Sequence, residues 1–327
     1  MAIPDSFRGR LSLPLIGAPL FIVSNPDLVI EQCKAGIIGS FPALNARPKE
    51  VLDEWLDRIT TELADYAAKN PDKPVAPYTV NQIVHKSNDR LEYDVEMCVK
   101  YKVPVVITSL QAPTLVAPAV HSYGGLVFHD VTNIRHAKKA LAEGADGLIL
   151  VCSGAGGHAG ALSPFALVAE IREFYDGPII LSGSMATGDQ ILAAQAMGAD
   201  FAYLGTRFIA TTEANAPQGH KDMVVDSTAE DIVYTNLFTG VSGNYLAKSV
   251  AEAGMDPNDL PEADKSKMNF GSGGNMKTKA WRDIWSAGQS AGMVKDIAPA
   301  GEVVAQLRRE YDAAKARLAQ QSAPYQV

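Results

Sequence analysis

The chain has 327 residues, of which 47% are apolar and 20% charged, with a formal charge of −8 at neutral pH. That balance describes an ordinary globular protein and argues against nucleic acid or an anionic membrane surface as its partner. No apolar run approaches the roughly 20 residues of a membrane-spanning helix. The first residues, Met1-Ala2-Ile3-Pro4-Asp5, show no basic segment followed by an apolar one, so a cytoplasmic protein is expected. Cys33, Cys98 and Cys152 lie far apart, without CxxC or other zinc spacing, so no metal site is expected.

In chain order, short apolar runs occur at 13–19, 36–41, 75–81, 104–108, 125–130, 147–152, 178–183 and 201–206. Amphipathic stretches at 48–70, 88–101, 132–144, 163–175 and 187–198 lie between them. Continuous apolar runs alternating with helical patterns predict strands buried on both faces. Eight of them predict an α/β protein, a TIM-type parallel (β/α)8 barrel. An open doubly wound sheet would want a GxGxxG turn after its first strand, and here that strand ends in Ala18-Pro19-Leu20.

After the eighth run the rhythm changes. Residues 213–287 are richer in Asp, Asn, Gly, Ser and Met and show no clear strand. They are expected to form a mostly helical insertion covering the barrel mouth. The predicted organisation is a barrel over 1–212, the excursion over 213–287, and a return segment with a C-terminal helix over 288–327. That helix, at 300–320, carries an apolar stripe that predicts packing on the barrel side.

The chemistry is expected at strand ends. After the run Gly147-Leu148-Ile149-Leu150-Val151 comes Cys152-Ser153-Gly154-Ala155-Gly156-Gly157-His158-Ala159-Gly160. Its glycines, among them Gly156 and Gly157, let the backbone approach a flat or anionic ligand and leave His158 projecting over it. Ser182-Gly183-Ser184 and Gly205-Thr206 follow the seventh and eighth runs, where such barrels commonly bind phosphate through backbone N–H groups and hydroxyls. The plain alternative is that these glycines only permit tight turns. Asn81 and His129 end the third and fifth runs, and either could reach a bound ring or be satisfied structurally. Cys152 reads as a small buried hydrophobe, not a nucleophile. His85, His121, His136 and His220 read as surface residues. The stretch from Trp281 to Gly292 reads either as helix packing or as a segment returning to line a cofactor.

Taken together, these motifs resemble the nitronate monooxygenase family, formerly called 2-nitropropane dioxygenases, which are FMN-dependent barrels. The resemblance rests on Ala18-Pro19, Thr79-Val80-Asn81, Gly154 to Gly160, Ser182-Gly183-Ser184, Leu204 to Phe208 and Trp285 to Gly292, in that order. It implies that Ala18, Leu20 and Asn81 contact the isoalloxazine or ribityl part of FMN. It also implies that Gly183, Ser184, Gly205 and Thr206 hold the phosphate, that Gln289 sits near the flavin, and that His158 is the active-site histidine. Leu20 stands where family members often have methionine, Gly154 where a glutamate is frequent, and His129 where a relative has lysine. The expected activity is FMN-dependent oxidation of alkyl nitronates, or of nitroalkanes, by O2 to a carbonyl compound and nitrite. The alternative is an FMN-dependent NAD(P)H oxidoreductase acting on a quinone, an enoyl thioester or a CoA-linked intermediate. A non-flavin barrel binding a sugar phosphate is a third reading, disfavoured because no lysine or carboxylate pair marks the strand ends. The residues leave the oligomeric state open, with a homodimer as one arrangement.

Overall fold

The structure, a computed structural model, describes residues 2–263 and 284–325. Among them, eight parallel strands form one sheet: β1 (Leu15–Gly17), β2 (Gly39–Pro42), β3 (Tyr78–Val84), β4 (Val105–Leu110), β5 (Leu126–Val131), β6 (Gly147–Val151), β8 (Ile179–Ser182) and β9 (Phe201–Leu204). Their order, β1-β9-β8-β6-β5-β4-β3-β2, closes on itself through a bridge between Ile16 and Ile38. A helix follows each of the eight strands, as the alternation of apolar and amphipathic stretches requires. Local chemistry sets where several of them begin. Asn25 accepts from the Leu28 N–H ahead of Pro26, Asn133 accepts from the His136 N–H, and Thr187 with Gln190 forms a capping box.

Alternate residues of each strand face the barrel interior and the helical layer. Ile16, Ile38, Ile107, Phe128, Ile149, Ile180 and Phe201 fill the interior. Their sequence neighbours pack outward against the helices. Phe7 plugs the end at which the strands start, edge-on to Phe128 and Phe201 with ring centroids 6.3 and 5.9 Å away. Burying that ring contributes about 1.5–3 kcal/mol. It also leaves the opposite end, where the strands finish, as the open mouth.

The excursion is not strand-free, which corrects the expectation from the sequence. It holds the helix Gln218–Asp226, strands β10 (Ile232–Thr235) and β11 (Gly243–Leu246), and the short helix Ala247–Glu252. The strands β10 and β11 pair antiparallel, and β11 also pairs with β7 (Gly157–His158) in the glycine loop after β6. Four-residue strands are too short to show a period in sequence. They exist because the glycine loop offers them an edge to pair with. Residues 264–283 of the excursion, with Trp281, Arg282 and Asp283, lie outside the described residues. The C-terminal helix Ala300–Ser322 buries Val303, Val304 and Leu307 in the same cluster as Ile191 and Ala194 of the helix Gly188–Ala196.

Candidate active site

Four chain segments converge at the mouth: the glycine loop after β6, the turn after β8, the turn after β9, and the return segment at 286–289. Gly154 and Gly183 adopt positive φ of +79° and +137°, and so does Ser184 at +54°. A non-glycine residue in that region is uncommon and concentrates at functional sites. The return segment locks onto the loop. Gln289 donates its backbone N–H to Gly154 O at 3.0 Å, and Gly288 donates to Thr206 Oγ1 at 2.8 Å. The approach is close enough that a Cβ on Gly288 would lie 2.5 Å from Gly154 O and 2.8 Å from Gly156 N. A Cβ on Gly154 would land directly on Ser184 Oγ.

Among the described residues, the backbone N–H groups of Gly183, Gly205 and Thr206 donate to no protein acceptor. Gly183 and Thr206 are buried. Buried N–H groups are seldom orphaned. With the Thr206 hydroxyl beside them they are donors in want of an anion, which fits a phosphate, and the Ser184 hydroxyl, 3.5 Å from Ser153 O and from Gln289 Oε1, lies at the same turn. Beside them, a Cβ on Gly205 would meet Leu20 and Ala18 at 3.1 and 3.5 Å, so these two apolar residues flank the same turn. Gly156 and Gln289 are exposed there, and Ser182 is buried beneath.

His158 is carried by β7 at the edge of the small antiparallel sheet. Its Nε2 lies 3.1 Å from Thr239 Oγ1. The Thr239 hydroxyl also lies 2.8 Å from the Val241 carbonyl, and when its proton goes there Nε2 is the donor and the ring lone pair is on Nδ1. The residue is half-buried, and the protein packed around it lowers its pKa to about 4. The ring is therefore neutral at physiological pH.

The mouth has a polar floor that sequence reasoning missed. Asn81 donates from Nδ2 to Ser109 Oγ at 2.7 Å, and Ser109 donates to Asp130 Oδ2 at 2.6 Å. Asp130 shares the interior face of β5 with Phe128, and Tyr203 faces it from β9. Among the described residues, the other Asp130 oxygen and the Tyr203 hydroxyl are buried and have no partner.

His129, one residue earlier, was open between reaching a bound ring and a structural role, and its side chain turns away from the mouth. Strand alternation turns it outward with Val127 and Val131, where its Nδ1 lies 2.7 Å from Thr108 Oγ1. The charges acting on it belong to His136 and Glu143, on and just beyond the following helix. The signal that finds Asp130 is parity: whichever residue shares a face with Phe128 points into the barrel.

Of two further expectations, one agrees with the structure and one does not. Cys152 is buried, and burial pushes its thiol up to about 12, so it stays protonated. His220 is not a surface residue. It is 4% exposed, stacks on Trp285 at 5.2 Å between centroids, and donates to Ser286 O at 3.1 Å. It braces the segment that delivers Gly288 and Gln289.

The closed parallel barrel, with N–H donors and a histidine at its mouth, has the frame of an enzyme, and the family it belongs to makes it a flavin-dependent oxidoreductase. The sequence model described as Nitronate monooxygenase matches residues 12–310, and the chain belongs to that family. It is 28% identical to a nitronate monooxygenase of Paraburkholderia phytofirmans, over 91% of this chain and 92% of that protein. It is 27% identical to one of Neurospora crassa, over 90% and 88%. In fold it is similar to nitroalkane oxidase from Streptomyces ansochromogenes, with a TM-score of 0.79 and 23% identity over 96% of this chain and 100% of that one. Among the described residues no helix is long and apolar enough to cross a membrane.

Proposed function

We propose that this protein binds FMN across the barrel mouth and oxidises alkyl nitronates with O2, releasing a carbonyl compound and nitrite. The observation that carries this reading is that N–H donors with no acceptor among the described residues meet His158 at one end of the barrel. Gly183, Gly205 and Thr206, with the Ser184 hydroxyl, hold the phosphate. Ala18 and Leu20 pack against the ring system, Asn81 meets its polar edge, and Ser182, Gly156, Gly157 and Gln289 enclose it. Bound FMN supplies the electron acceptor and the reaction with oxygen.

The chain's own residues supply position and proton handling. Thr239 fixes the His158 tautomer, which places the lone pair on Nδ1. A neutral imidazole is the form that can accept the α-proton of a nitroalkane. A ring held near pKa 4 is a weak base for the task. A nitronate arrives already deprotonated, and its charge favours a proton on the ring beside it. Nitronates are therefore the better substrates.

An anaerobic absorbance spectrum tests this. The purified protein should show oxidised flavin that bleaches on addition of an alkyl nitronate, and admission of air should release nitrite. Protein without flavin, or flavin that stays oxidised, overturns the proposal. Bleaching by NADH but not by nitronate would point to a reductase.

A further inference from the structure

The chain Asn81–Ser109–Asp130 has a direction, and chemistry sets it. An ionised carboxyl accepts hydrogen bonds and cannot donate them. The single Ser109 proton is thus committed to Asp130, 2.6 Å away. Ser109 Oγ must then receive a proton, and the Asn81 side-chain nitrogen, 2.7 Å away, supplies it. The Ile107 carbonyl, 3.5 Å from the same nitrogen, is a second acceptor on that side. Turning the amide over would set its oxygen against two acceptors. Asn81 Oδ1 consequently points away from this floor, and among the described residues nothing donates to it.

We infer that Asp130 is a positioning residue for the flavin: acting through Ser109, it holds the Asn81 amide with its oxygen toward the N–H of the ring's pyrimidine edge. This rests on the reading that the mouth binds flavin. The arrangement depends on Asp130 being ionised. A protonated Asp130 can donate to Ser109, which frees the serine proton to face the amide and lets the amide turn over. The ring would then meet a donor where it needs an acceptor.

The surroundings make that change accessible. Burial raises Asp130 to about 6, against the lowering effect of the Ser109 hydrogen bond. The titratable group facing it is Tyr203 on β9, which burial holds well above 10 and so stays neutral. No described cation acts on Asp130, and Ile149 and Val151 of β6 face the same interior as apolar walls. His129 lies on the other side of the strand.

The test is titration of the flavin-free full-length protein with riboflavin between pH 5 and 8. Riboflavin lacks the phosphate, which would itself ionise in that range. Wild type should bind tightly above pH 7 and about tenfold more weakly at pH 5, the scale of one hydrogen bond. Asp130→Asn should be about tenfold weaker at pH 7.5 and insensitive to pH. Ser109→Ala cuts the link between Asp130 and Asn81 and should do the same, with the double variant no worse than either. If Asp130→Asn does not fold, Ser109→Ala alone decides. Variants that shift the melting temperature but bind riboflavin as wild type does at every pH overturn the inference and leave the flavin site standing. Wild type that binds neither riboflavin nor FMN overturns the flavin site itself, and this inference with it.

Discussion

The imidazole Nε2 of His158 lies 3.1 Å from the hydroxyl of Thr239, a residue 81 positions further along the chain. The excursion thus reaches back to the histidine in the barrel's glycine loop. Thr239→Val keeps the shape and removes the acceptor. Without it, the proton can sit on either ring nitrogen. We expect kcat with a nitroalkane to fall about tenfold or more, with the melting temperature little changed, because the lost bond is worth only about 1 kcal/mol. Steady-state kinetics alongside a thermal melt would check this, and unchanged kcat would remove the tautomer argument.

His158→Ala should separate the two substrate classes. Loss of a general base typically costs 10²–10⁴-fold, and that loss should fall on nitroalkane turnover. Nitronate turnover, which needs no deprotonation, should fall less. Parallel assays with a nitroalkane and its preformed nitronate give the comparison. Equal losses on both would mean that His158 serves as an anion anchor and not as a base.

Gly288→Ala should empty the cofactor site. The added Cβ would lie 2.5 Å from Gly154 O and 2.8 Å from Gly156 N, both backbone atoms that no rotamer change can move. The return segment must back away, taking with it the Gly288 N–H to Thr206 and the Gln289 N–H to Gly154. We expect a folded protein purified with little flavin, read from the ratio of visible to ultraviolet absorbance. Full flavin content would show that the segment is not part of the cradle.

Acid should destabilise the fold through its buried histidines. Burial holds His220 at about 4, against a smaller opposing effect of its bond to Ser286, and an unfolded histidine titrates near 6.5. The folded pKa is the lower one, so the unfolded state binds more protons as pH falls below 6.5, and stability is lost from there toward pH 4. Asp94 and Asp130, both raised to about 6, act in the opposite sense as they protonate. The clean measure is therefore a difference between variants. His220→Phe keeps the stack on Trp285 but cannot titrate. Its stability relative to wild type should improve by up to about 2 kcal/mol between pH 7 and pH 5. Denaturant melts at the two pH values measure it, and a constant difference would show that His220 does not titrate there.

Much of the architecture was legible because it is periodic. Eight apolar runs separated by helical patterns predict a barrel without reference to any one residue, and glycines after strands mark where the chain turns at its mouth. The turn residues Gly183, Ser184, Gly205 and Thr206 sit together in the structure, since parallel strands bring their ends to one face. The reading failed at finer scale. His129 drew attention as an ionisable side chain near a strand end, but a shift of one residue turns a side chain to the opposite face of a sheet. Asp130, in the next position, is the one inside. His220 looked like a solvent-facing helix residue because nothing nearby in sequence announces Trp285 as its partner.

The sequence by itself determined the barrel, its open end and the loops that build a cradle there, because those follow from local patterns of burial and backbone freedom. Only the tertiary structure decided which polar groups meet at the mouth. His158 meets Thr239, Asn81 is linked through Ser109 to Asp130, and the segment that carries Gly288 is held by His220 stacked on Trp285. Each of these is a contact between residues distant in sequence, made where chain segments cross, and no local pattern encodes which partner arrives.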